Sequence, residues 1–175
     1  APRPRRRPSR RPRRGGAIDA RPPADRLPRE PALAEDPRAM IEPSPALAAA
    51  ALYAALHALI LAWLGWSVVR IRTRERVMMG DGGNPRLIRA MRGMANFAEY
   101  APVALTLLLA GALVGAPAFV VHLFGLALTA ARVMHGWHFM QADAPGWQRV
   151  GGTALTLTVL IVGGLGVAAH AILAL

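Results

Sequence analysis

The sequence predicts an all-α integral membrane protein, a four-helix bundle with a disordered N-terminal tail. Three observations predict it. Beyond residue 40 the chain carries four apolar runs long enough to cross a bilayer, which takes about 20 residues each. The connections between them are short, which fits an antiparallel bundle. Composition changes sharply near residue 40, so the two parts of the chain obey different rules.

The 175 residues are 54% hydrophobic and carry a formal charge of +11. All 21 basic residues are Arg, and cysteine is absent. A disulfide-stapled domain, a Cys nucleophile, a Cys-ligated zinc site and a redox CxxC are thereby excluded. Any thiol chemistry must use a ligand's thiol. Residues 1–39 hold 12 Arg, 5 acids and 9 of the 15 prolines, a net +7. They contain no aromatic residue and only Ile18, Leu27 and Leu33 as larger aliphatics. Such a segment cannot bury enough apolar area to offset chain entropy, and it reads as a disordered tail. An arm for anionic partners is the functional alternative. An unstructured tail, or upstream sequence absent from the native protein, fits the composition better. Met40 is a plausible start of the domain 40–175, and N-terminal sequencing of the native protein is expected to begin there. A nucleic-acid reading of the charge rests on the tail, and no nucleic-acid partner is expected.

The first membrane run is Ala46 to Val69, 24 residues without formal charge, closing in Arg70, Arg72, Arg74 and Arg76. MMGDGG is a turn-rich loop. Asn84-Pro85 reads as a helix start, with Asn as N-cap and Pro at the first position. The second helix runs from Pro85 to about Val114, about 45 Å at 1.5 Å per residue. Pro102 should weaken or kink it. Gly115 to Ala118 form a tight turn before a third helix from about Phe119 to Met140. After the loop Gln141 to Gly146, a fourth helix starts near Trp147 or Arg149 and ends at Leu173. Arg concentrates in the first loop, with Arg149 in the third. The positive-inside rule therefore places loops one and three in the cytoplasm and both termini outside.

Charged groups inside membrane helices are functional candidates by default. On helix two, Asn96 lies about 40° from Arg92, and Glu99 about 20° short of whole turns from it, so all three share a stripe, with Arg89 about 60° from Arg92. A guanidinium, an amide and a carboxylate on one face suit a zwitterionic ligand: Arg holds carboxylates and Glu an ammonium. An internal Arg–Glu pair that seals the bundle is the structural alternative. Helix three offers Arg132, His135 and Phe139 on one face. Arg92, Arg132 and Arg149 fall at one membrane depth with few acids, an arrangement that asks for an anion. His135 and His138 form an HxxH without an evident third ligand, so no metal is expected. His57 and His170 read as packing residues. Gly111 with Gly115, and Gly163, Gly164 and Gly166, read as close helix contacts.

Gly80 to Tyr100, GDGGNPRLIRAMRGMANFAEY, resembles the MAPEG family, the membrane-associated proteins of eicosanoid and glutathione metabolism, and in particular its short bacterial members. The pattern Arg-x3-Asn-x2-Glu-Tyr at Arg92, Asn96, Glu99 and Tyr100 is similar to the family's glutathione-binding segment. Arg132 followed by His135 is similar to its third-helix segment. The resemblance covers about Leu47 to Leu173. It implies a MAPEG-like fold in the bacterial inner membrane and a homotrimer with sites between subunits. It also implies a bent glutathione near the cytoplasmic face. Arg92, Asn96, Glu99 and Tyr100 would hold the tripeptide's polar ends, with Arg132 and His135 completing the cavity. An Arg from the Arg70–Arg74 cluster could join them. Arg149 matches by position the fourth-helix Arg that activates the thiol. Position 139 is Phe where several catalytic members have Tyr.

The expected function is a membrane-embedded glutathione-dependent transferase or peroxidase acting on lipophilic electrophiles. Its cosubstrate is glutathione, and its partners are the lipid bilayer, a lipophilic small-molecule substrate and two further copies of itself. The alternative is a non-catalytic MAPEG-fold membrane binding or scaffold protein. A small multidrug-type transporter would centre on a helix-one carboxylate, whereas this helix offers only His57.

Overall fold

The computed structural model describes residues 44–175. The expectations for the tail and for a start at Met40 lie outside the described residues. Four helices follow: α1 Pro45–Glu75, α2 Pro85–Leu113, α3 Ala118–Met140 and α4 Gly146–Leu173. All four are long and apolar enough to cross a membrane.

Local chemistry sets the ends. The Ser44 side chain accepts from Leu47 N, and Pro45 opens α1. The Asn84 side chain accepts from Arg86 N and Leu87 N ahead of Pro85, the capping pattern expected there. α1 continues six residues beyond the uncharged run that ends at Val69. Leaving the hydrocarbon does not oblige a helix to stop: Arg is a good helix former, and Thr73 Oγ1 satisfies Val69 O at 3.0 Å. The helix stops at Arg76, which takes a left-handed conformation (φ 55°), while Val77 N bonds Arg72 O at 3.0 Å. α2 runs unbroken through Pro102. Pro102 is exposed, and Thr106 Oγ1 donates back to its carbonyl at 2.9 Å.

α2 and α3 form the middle of the bundle, each touching every other helix, while α1 and α4 do not meet. At the end remote from the Arg-rich loops, Ala46, Ala49, Ala50 and Tyr53 of α1 pack on Ala104, Leu108 and Ala112 of α2, with Val121, Leu128 and Val159. Ile60 and Leu64 meet Phe97 and Ala101 at mid-height. Val68 and Ile71 meet Leu87 and Ala90 at the Arg-rich end.

α4 buries only Gly152, Thr156 and Val159. Its union with α3 depends on Gly152, where an added Cβ would lie 2.8 Å from both Ala131 O and His135 Cβ. Backbone cannot yield there as a flexible side chain would. Gly152→Ala is therefore expected to cost about 1–3 kcal/mol by overpacking. Thermal unfolding in detergent should show a lowered midpoint, with Gly166→Ala, which meets nothing within 4 Å, as a neutral control. Equal midpoints for the two variants would contradict this packing. The other expected contact glycines sit more loosely: a Cβ at Gly111 would meet Val167 at 3.4 Å and one at Gly163 would meet Phe124 at 3.6 Å. Gly111, Gly163 and Gly166 help line an apolar cavity of about 210 Å³ between α2, α3 and α4 rather than a tight crossing.

Candidate functional site

The site grows from one buried cation. Arg132 on α3 is 1% exposed. Its Nη2 donates to Asn96 Oδ1 of α2 at 2.8 Å, and its Nη1 donates to Thr156 Oγ1 of α4 at 3.3 Å. One guanidinium thus ties three helices together. Thr156 can accept because its own hydroxyl proton goes to Gly152 O at 2.7 Å. His135 Nδ1, one turn on, lies 3.5 Å from Arg132 Nη2, and the guanidinium lies over the Phe97 ring at 5.5 Å. Arg132 Nε is buried without a partner. Among the described residues, the sole ion pair within 4.0 Å joins Arg74 and Glu75. Among the described residues the Arg132 charge is therefore held by neutral groups, with no carboxylate against it.

Phe139 links this cluster to two more cations. The Arg149 Cζ lies 5.8 Å from its ring centroid and the Arg89 Cζ 5.9 Å. The His135 ring is 4.9 Å away. Phe139 is wedged against α2 at Gly93, where a Cβ would meet its Cβ at 2.7 Å. Arg89 is anchored as well: its Nη2 donates to His138 O and Gln141 O, both at 3.0 Å, which fastens α2 to the end of α3.

The expected residues fall into two sets. Arg132 and His135 are buried, and Asn96 and Tyr100 are half-buried; Arg92, Glu99 and Arg149 are exposed. Asn96, Arg132 and His135 come together directly, with Arg149 reaching them through Phe139. Arg92 and Glu99 stay on the outer side of α2 and do not pair with each other, so the bundle-sealing pair weighed as an alternative does not form. The histidines of the HxxH are otherwise engaged, with His138 Nδ1 donating to Pro145 O at 3.3 Å.

The sequence model of the MAPEG family matches residues 50–169. The chain belongs to the MAPEG family. Among similar proteins are the inner membrane protein YecN of Escherichia coli strain K12 and that of E. coli O6:H1 strain CFT073. Each is 39% identical over 112 residues, 64% of this chain and 85% of the relative. This MAPEG protein is accordingly an integral protein of the inner membrane. Every candidate residue lies inside the matched span.

Reasoning from the sequence missed Thr156 and the central place of Phe139. Thr156 carried a readable signal, a hydroxyl within a long apolar run four residues after a glycine. Phe139 was noted for the hydroxyl it lacks, while its use as a shelf for two guanidiniums required the fold. The inward aim of Arg72 was not legible either: its Nη2 donates to Met91 Sδ at 3.4 Å.

Proposed function

We propose that this MAPEG protein is a membrane-embedded glutathione-dependent transferase or peroxidase that works as a homotrimer on lipophilic electrophiles. The carrying observation is the buried Arg132, bound by Asn96 and Thr156 and matched by no carboxylate. Glutathione has two carboxylates, one ammonium and one thiol. In this reading Arg132 and Arg92 receive the carboxylates, Glu99 takes the ammonium, and Asn96, Tyr100 and His135 fix the tripeptide between them. Arg92 and Glu99 lie on the outer surface of one chain, which supports a pocket completed by a neighbouring subunit.

Arg149 faces the sulfur and favours the thiolate over the thiol; each tenfold gain in thiolate is worth about 1.4 kcal/mol. In the transferase reaction the thiolate attacks an electrophilic carbon arriving from the bilayer. A C–S bond forms, and the leaving group departs with its electron pair. In the peroxidase reaction it attacks a hydroperoxide oxygen, the O–O bond breaks, and the alkoxide takes a proton. The terminal oxygen leaves with the sulfur as a sulfenic acid, and the thiol of a second glutathione displaces its hydroxyl, giving the disulfide and water.

Titration calorimetry of the detergent-solubilised protein with glutathione tests the reading. Saturable binding is expected, and Glu99→Gln should weaken it about tenfold, the loss of one charged contact. Absence of binding to the wild type favours the scaffold alternative.

A further inference from the structure

The Arg residues that close α1 sort onto two sides. Arg72 turns inward onto Met91. Arg70 and Arg74, one turn apart, face out and meet Arg86 from the first turn of α2. With Ile71 and Glu75 they line a cleft of about 310 Å³. Glu75 is the one acid in it, 3.9 Å from Arg74 Nε, with both side chains exposed. Among the described residues, Arg70 and Arg86 have no ion-pair partner, so the cleft keeps a net positive charge.

A second cleft of about 250 Å³ adjoins the first and shares Ile71 and Arg86. Its further walls include Pro85, Phe139 and Met140. Arg89 also lines it, but that guanidinium is already committed to His138 O and Gln141 O. A basic cleft thus opens beside a largely apolar one, a shape suited to an anionic amphiphile.

The depth in the membrane is marked independently. Trp66 and Val69, 67% and 49% exposed, immediately precede Arg70 on α1. Trp137 and Trp147, 51% and 64% exposed, lie at the same end on α3 and α4. Exposed Trp collects at the level of lipid headgroups. The basic cleft begins where this belt ends, at the height of the lipid phosphates.

We infer that Arg70, Arg74 and Arg86 form a site for the phosphate of an anionic phospholipid, whose glycerol and upper acyl chain lie along Ile71, Pro85 and Met140. Basic pockets between membrane helices on the cytoplasmic side bind such headgroups. The three phosphate-binding Arg belong to none of the Arg132 cluster, although the adjoining cleft reaches its edge at Phe139, and the site assigns the outward Arg of α1 to lipid rather than to glutathione.

Native mass spectrometry tests it on the full-length protein, released from micelles containing equal amounts of phosphatidylglycerol and phosphatidylcholine with the same chains. The wild type should retain phosphatidylglycerol preferentially. Arg70→Gln with Arg86→Gln should lower that preference about 25-fold, roughly fivefold for each guanidinium lost near the surface. The Arg70→Lys, Arg86→Lys pair should keep most of it, and glutathione binding should be unchanged in both. Equal retention of the two lipids by the wild type would overturn the site, as would full preference in the Gln pair. Displacement of the lipid by millimolar inorganic phosphate would instead assign the cleft to a soluble anion. Loss of glutathione binding in the Gln pair would return these Arg to the glutathione site.

Discussion

Arg132→Ala should abolish measurable glutathione binding, a loss of at least about 100-fold or about 2.7 kcal/mol. Two effects add. The variant removes the one buried cation in the cluster, and it leaves Asn96 Oδ1 and the space between α2, α3 and α4 unfilled. The second effect lowers stability, because removing one partner from a buried polar group costs about 1–3 kcal/mol for each group stranded. Arg132→Lys separates the two. It keeps the charge, but a single ammonium cannot reach Asn96 on α2 and Thr156 on α4 with the fork geometry seen at 2.8 and 3.3 Å. The Lys variant should fold, bind glutathione more weakly than the wild type, and exceed the Ala variant. Calorimetry beside thermal unfolding distinguishes these outcomes, and wild-type affinity in the Ala variant would remove Arg132 from the site.

If Arg149 acts on the sulfur as proposed, Arg149→Ala should lower turnover about 100-fold while leaving glutathione affinity within a factor of two. Arg149 is exposed and makes its protein contact with the face of Phe139, at 5.8 Å. No hydrogen bond to another helix depends on it, so its loss leaves the Arg132 cluster standing. Phe139 supplies a shelf for the guanidinium and no hydroxyl. On the proposed reading the sulfur's charge would be balanced by Arg149, with no phenol at position 139. Equal losses in affinity and turnover would place Arg149 among the groups that hold the tripeptide instead.

The helices were legible because membrane spans are written in long apolar runs, and Asn84-Pro85 announced its own cap. The first helix closes within the Arg run as expected, and its last residue, fixed by the left-handed turn at Arg76, was the part the sequence did not show. The family and the segment around Asn96 were legible from the spacing of Arg92, Asn96, Glu99 and Tyr100. The division of that segment was hidden, because about 40° on a helical wheel does not say which residue turns inward. Packing decides it: Asn96 meets Arg132 across the α2–α3 seam, and Arg92 remains outside. The hydroxyl of Thr156 stands out in its apolar run, but its pairing with Arg132 was hidden for a related reason, as that partner lies 24 residues away on another helix. The glycines misled because spacing alone cannot separate a tight crossing, as at Gly152, from a cavity wall, as at Gly163.

The central claim is that this protein binds glutathione and holds it as the thiolate against Arg149. Ultraviolet difference absorbance of the purified protein with glutathione reads the thiolate directly. A saturable thiolate band near neutral pH is expected in the wild type and its loss in Arg149→Ala, with calorimetric binding retained. A band of unchanged amplitude in Arg149→Ala, or no band in a wild type that binds glutathione, would contradict that claim.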